Sequence, residues 1–199
     1  MLKDALLAYA QKAIARGAHL SPKQYEGVVP ALAAEVQGRF LVPRTTTTDL
    51  APFRERFGVE LPEDIGDYLN LFWHPCVAGA YDCEKQDEEG GYYKFDEGPI
   101  LFSVLRHVGE TDDEVLFQKY GVYDLTAEFY EDHEDLLDEA RRYMCIGWTG
   151  YAAHAVLYER ATGEIYLESW RDDRVADDRP IAGSLAALIE QIYFPDLRR

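Results

Sequence analysis

Cysteine is scarce in this 199-residue chain. Cys76, Cys83 and Cys145 make an odd number without C-x-x-C spacing, which excludes a disulfide framework and a cysteine-rich zinc site and leaves buried or idle thiols. The five histidines, His19, His74, His107, His133 and His154, are scattered, and "HEDLL" at His133 lacks the second histidine of a metalloprotease helix. No phosphate-binding loop, nucleophile elbow or dinucleotide fingerprint occurs, so no catalytic residue, metal or cofactor is expected. No apolar run reaches the ~18 residues that a membrane span requires. The opening "MLKDALLAYAQKAIARG" is interrupted by charge, unlike a secretory signal, and the expected location is cytoplasmic.

Positive charge is also scarce: 20 Lys+Arg face 37 Asp+Glu, a net charge of −17. Residues 1–58 carry +3 and residues 59–199 carry −20. Such a body repels nucleic-acid phosphates and anionic headgroups, so nucleic-acid binding and direct membrane insertion are not expected, whereas a basic protein surface is attracted. With 47% hydrophobic and 13% aromatic residues, the chain can bury the core of one ordinary domain.

The acids concentrate in two stretches. Tyr81 to Gly98 holds seven carboxylates against two lysines, and Glu110 to Glu139 holds twelve against Lys119 alone. Tyr81, Tyr92, Tyr93 and Phe95 interleave with the first set, and Phe117, Tyr120, Tyr123, Phe129 and Tyr130 with the second. Tyrosine supplies contact area with a polar tip, and carboxylates pair with Arg and Lys, a combination suited to protein recognition. The expected partner-binding residues are Asp82, Glu84, Asp87, Glu88, Glu89, Tyr92, Tyr93, Asp96 and Glu97, with Asp112, Asp113 and Glu114. The two stretches are expected to border one surface. Paired carboxylates of a glycosidase kind carry little weight here, because 37 acids place some pairs at such distances by chance.

Periodicity predicts an α+β fold, an antiparallel sheet with helices packed mainly on one face. Leu2, Leu6, Tyr9, Ala13 and Ile14 recur at helical spacing with Gly17 as stop, and Ser21-Pro22 marks another helix start. "VPRTTTT" is expected to be extended, dividing a helical N-terminal extension and linker, 1–44, from a body, 45–199. "DLAPFRERFG" predicts a helix capped by Asp49 and stopped by Gly58. "VELPEDIGDYLNLFW" predicts another, with Ile65, Leu69 and Phe72 as its apolar stripe. Gly90-Gly91 predicts a hairpin turn, "PILFSVLRHV" a strand, "TDDE" at Thr111 a capping box, and Asp124 to Arg142 one acidic surface helix. "YMCIGW", "AAHAVLYER" and "EIYLESW" read as strands. "RDDRVADDRP" follows as polar loop, and "IAGSLAALIEQIYF" as a closing helix with Ile181, Leu185, Leu188, Ile189 and Ile192 inward.

The order of "RFGVELPEDIGDYLNLFW", "PILFSVLRHVGETDDEVLFQ", "MCIGW…TGEIYLESW" and "IAGSLAALI" resembles the SUKH superfamily, and within it the Syd branch of SecY-interacting proteins, over about Asp49 to Phe194. The acidic "EFYEDHEDLLDEARR" is richer in carboxylates than that pattern. The resemblance implies a non-enzymatic binding domain. Syd proteins dock through an electronegative concave face on the basic cytoplasmic side of SecY, which would make this protein peripheral at the inner membrane through its partner. Other SUKH members are immunity proteins that neutralise secreted toxins such as nucleases. An uncharacterised enzyme is the remaining alternative. Purified protein is expected to carry no stoichiometric zinc; elemental analysis finding one tightly held metal per chain would overturn that reading.

Overall fold

The computed structural model describes residues 1–16, 22–95, 98–150 and 154–195, and it is an α+β arrangement of short helices and antiparallel strands. Helix α1 (Leu2–Ala15) buries Leu2, Leu6, Tyr9 and Ala13 as the spacing predicts, but Ile14 is 52% exposed, one position off the stripe. Gly17 and Ser21 lie outside the described residues; Pro22 opens a 3-10 turn, Pro22–Tyr25. Helix α2 (Pro30–Arg39) follows, and then the extended segment expected at "VPRTTTT", where β1 (Val42–Pro43) pairs with β2 (Phe72–Trp73).

Helix α3 (Ala51–Phe57) ends on Gly58 in the left-handed region, φ 69°; its cap position is Leu50 rather than Asp49, whose carboxylate, one residue earlier, accepts from the Ala51 N–H at 2.9 Å. Helix α4 (Glu63–Asn70) stops before Phe72, which belongs to β2 rather than to the helical stripe. Strand β2 forms because the extended segment after α2 offers it a partner, a long-range pairing that overrides the local period.

The main sheet has the order β3-β6-β7-β8-β9, all antiparallel, from β3 (Val77–Ala78), β6 (Pro99–Leu101), β7 (Tyr143–Thr149), β8 (Ala155–Glu159) and β9 (Ile165–Leu167). Between β3 and β6 the chain leaves the sheet as the expected hairpin, β4 (Cys83–Gln86) and β5 (Tyr92–Phe95), turning at Gly90 with φ 88°. The strand expected across "PILFSVLRHV" shortens to β6; beyond it only single bridges form, His74 to Val104 and Val28 to His107.

The acidic segment is not one helix. Helix α5 (Val122–Asp132) ends at His133, whose Nδ1 sits 2.9 Å from the Phe129 carbonyl, and a 3-10 turn, Glu134–Leu136, and the short α6 (Leu137–Ala140) follow. Bonding of the ring to that carbonyl competes with helix continuation. Neither is α5 purely a surface helix: Val122, Leu125, Thr126 and Phe129 are buried where it packs against β7. Register puts Cys145 and Leu157 opposite one another on the α5 side of the sheet, and Met144 and Tyr158 on the other side, where Tyr158 meets Asp64 of α4. A bulge between Cys145 and Gly147 shifts the β7–β8 pairing. A Cβ on Gly147 would lie 2.3 Å from the Ile100 carbonyl oxygen, so the close approach of β6 admits no side chain there.

The closing helix is shorter than "IAGSLAALIEQIYF" predicts: Ser184 caps α7 (Leu185–Gln191) by accepting from the Ala187 N–H at 3.1 Å, and Leu185, Leu188 and Ile189 are buried within it, while Ile192, also buried, and the half-buried Ile181 lie outside it. Helix α1 packs on α7, and the Tyr9 hydroxyl donates to the Ala78 carbonyl at 2.7 Å. The first helix therefore shares the core of the body. Burial of large apolar side chains contributes about 1.5 to 3 kcal/mol each. A chain beginning at Thr45 is expected to melt at least ~10 °C lower than the full protein; an unchanged calorimetric midpoint would show that the first 44 residues are an appendage.

Candidate functional site

An open cleft of about 430 Å³ lies between α5 and the bulged region of β7 and β8. The apolar face of α5 supplies Leu125 and Phe129, and Cys145, Gly147 and Ala155 of the sheet complete the floor. Tyr120 and Trp148 form an aromatic wall, ring centroids 5.8 Å apart. Carboxylates line the remaining side: Glu128 and Asp132, one helical turn apart on α5, and Glu168 just past β9.

Glu168 is committed within the chain. One oxygen lies 3.4 Å from His133 Nε2 and the other accepts from the Ala155 N–H at 2.9 Å. The Glu128 and Asp132 carboxylates make no hydrogen bond or ion pair among the described residues. Tyr120 is 50% exposed and holds a φ of 63°, with its N–H donating to Asp124 at 2.8 Å. Left-handed backbone in a non-glycine residue costs about 1 kcal/mol or more, and the ring does not recover this by entering the core.

A chain of ring contacts beside the cleft leads toward the hairpin. The His154 ring touches the Trp170 ring at 4.2 Å and the Phe95 ring at 6.5 Å, and Phe95 meets Tyr93 at 6.3 Å. Beyond Trp170, which is 44% exposed, Asp87, Glu88, Glu89 and Tyr93 enclose a shallower pocket of about 320 Å³. The hairpin and α5 thus flank the two ends of one strip, residues 154–155 and 168–170.

The residues predicted from sequence divide. Asp87, Glu88, Glu89 and Tyr93 reach this face. Asp82 instead pairs with Lys94 at 3.6 Å and accepts from the Tyr193 hydroxyl. Arg179 takes up Glu84 at 3.5 Å and lies 4.2 Å over the Tyr92 ring. Asp87 accepts from the Glu89 and Gly91 N–H groups of its own turn. Asp96 and Glu97 lie outside the described residues. Asp112 binds Arg106 at 3.0 Å and accepts from Thr46, and Asp113 accepts from the Asp49 N–H at 2.7 Å, so both anchor the 44–49 segment. Glu114 accepts from the Thr111 N–H, the reach-back half of the expected capping box, ahead of a 3-10 turn, Glu114–Phe117. Sequence reasoning left Trp148, Glu168 and Trp170 out; the i, i+4 spacing of Glu128 and Asp132 was the one legible signal for the cleft.

Beneath the hairpin lies a buried ion pair. Lys85 is fully buried, donates to the Glu168 carbonyl, and places Nζ 3.4 Å from Asp177, itself only 4% exposed. The loop expected to be solvated thus turns inward at Asp177. Desolvation lowers the Lys85 pKa and raises that of Asp177, and each partner's charge opposes the other's shift.

Burial raises all three thiols, Cys83 and Cys145 to about 12, so none is a thiolate at neutral pH. Burial also pushes the His74 imidazole down to about 4. No cluster of three or more metal-ligating side chains occurs among the described residues, and no helix among them is long and apolar enough to cross a membrane. Neither protein-family models nor curated proteins give a match to this chain.

Removing one partner of a buried pair costs about 3 to 5 kcal/mol. In Lys85→Met the Asp177 carboxylate loses the cation that opposes its upward shift. A carboxylate whose folded pKa lies above its unfolded value of 3.8 loses stability as pH rises through the folded pKa. Urea melts are expected to show the variant well below wild type at pH 7, with the gap narrowing toward pH 4; a gap independent of pH would refute Asp177 as its source.

Proposed function

We propose that the protein is a non-enzymatic binding domain whose acidic face docks on a basic protein surface. The observation that carries this reading is the distribution of unpaired charge. Glu88 and Glu89 of the hairpin, with Glu128, Glu131, Asp132, Glu134, Asp135 and Asp138 along α5 and α6, make no side-chain hydrogen bond or ion pair among the described residues. Of the other acids, Asp82, Glu84, Asp112 and Asp113 are engaged by the chain's own groups, and Glu26, Glu55, Asp67 and Glu190, unpaired among the described residues, stand singly on separate parts of the fold. Like charges left without counterions destabilise a fold and raise its association rate with an oppositely charged surface. Exposed aromatic area supports the same reading, because Trp170, Tyr93 and Tyr120 stand among these acids at 40 to 50% exposure.

The Syd resemblance supplies the partner to try first, the basic cytoplasmic face of the SecY translocon. The test compares two variants of equal charge change for binding to the translocon in lipid nanodiscs and to protein-free nanodiscs. One carries lysine at Glu88, Glu89, Glu128 and Asp132. The other carries lysine at Glu26, Glu55, Asp67 and Glu190, which are exposed and lie outside both acidic stretches. Wild type is expected to bind the translocon with a steep salt dependence, and the first variant to associate at least ~10-fold more slowly at low salt. Both variants should melt within about 0.5 kcal/mol per site of wild type. Equal losses in the two would reduce the effect to net charge and overturn a localised face. Absence of translocon binding at low salt would overturn the Syd-like partner.

A further inference from the structure

We propose that the cleft between α5 and the β7–β8 bulge is an arginine site, taking one guanidinium side chain of the basic protein partner. This rests on the docking reading above and assigns its anchoring contact.

The cleft combines an apolar floor with an aromatic wall and two uncommitted carboxylates. Glu128 and Asp132 project from successive turns of α5, an i, i+4 arrangement in which like charges destabilise a helix unless a cation lies between them. The third carboxylate supplies no competing demand, because both oxygens of Glu168 are already satisfied. A cation entering here would meet Trp148 on one side and carboxylates on the other. A guanidinium suits this better than an ammonium: it is planar, weakly hydrated, stacks on indole or phenol faces, and offers a fork of donors to carboxylate oxygens. Lysine keeps a compact, strongly hydrated charge that an apolar floor would have to strip.

Tyr120 gives the second line of argument. Its left-handed φ and half-exposed ring stabilise no core, yet they hold the ring 5.8 Å from Trp148 at the mouth. The chain's own Lys119 already lies 4.9 Å from that ring, so Tyr120 serves as a cation platform without any partner.

The test uses nuclear magnetic resonance of the full chain with N-acetyl-arginine amide and N-acetyl-lysine amide, probes of equal charge. The Trp148 indole signal is assigned through Trp148→Phe. The arginine probe is expected to shift the Trp148 indole and the Glu128 and Asp132 amides saturably, and the lysine probe to bind more weakly. Glu128→Gln with Asp132→Asn should weaken arginine binding by about fivefold. Tyr120→Gly should weaken it by about two- to fivefold. That variant also removes the strained φ, so its melting temperature should hold or rise, which separates lost binding from lost folding. An unmoved Trp148 indole would overturn the site. So would equal effects of the two probes, or binding unchanged in both variants. Translocon binding with an unmoved indole overturns the cleft alone, whereas a saturable arginine response without translocon binding supports the cleft and overturns the docking partner.

Discussion

Strand β7 has to be covered on two sides, and much of the fold follows from that requirement. Tyr143, Met144, Cys145 and Ile146 are all buried, so the strand reads as a continuous apolar run rather than an alternation. On the Cys145 side the cover is α5, which buries Val122, Leu125 and Phe129 and accepts the consequence that its opposite face, laden with acids, points to solvent. On the Met144 side α4 contributes: Tyr158 meets Asp64, and the Tyr68 hydroxyl donates to the Phe102 carbonyl at 3.0 Å. A helix so acidic has little tendency to fold alone; packing on the sheet holds it.

The β7–β8 bulge makes the site out of this packing. An uninterrupted ladder would keep Trp148 and Ala155 in simple register with the residues before them. The extra residue between Cys145 and Gly147 re-aims the end of the strand, so that Trp148 meets Tyr120 and the floor opens beside α5. Concavity, aromatic wall and unpaired acids thus arise from one irregularity in an otherwise regular sheet.

The hairpin presents the reverse case, polar burial. A β4–β5 pair of four residues per strand is marginal by itself. It is tied to the sheet and late loop by Lys85 with Asp177, by Arg179 with Glu84 and Tyr92, and by Phe95 against His154. The buried pair is a poor source of net stability, because two charges leave water for one another. Its effect is to fix where the hairpin lies, with Glu88, Glu89 and Tyr93 turned to the same face as the cleft.

Local chemistry in the sequence determined which elements form and how much acid the protein carries. Gly58 and Gly90 mark a helix stop and a turn that the structure uses, and the apolar spacing of α1 and α7 predicts most of their buried faces, because 3.6-residue periodicity and turn chemistry are properties of a few neighbouring residues. Tertiary structure alone decided which acids remain free. Asp112 and Asp113 look like docking residues in the sequence and are consumed by the 44–49 segment, 64 and 66 positions away along the chain for their Asp49 and Thr46 contacts. Asp177 looks solvated and is buried against Lys85, 92 positions away. Trp148 and Glu168 join Glu128 at the cleft through strand register and a bulge, neither of which leaves a local signature. A carboxylate's role depends on whether a distant cation or N–H reaches it, and chain folding, not composition, sets that distance.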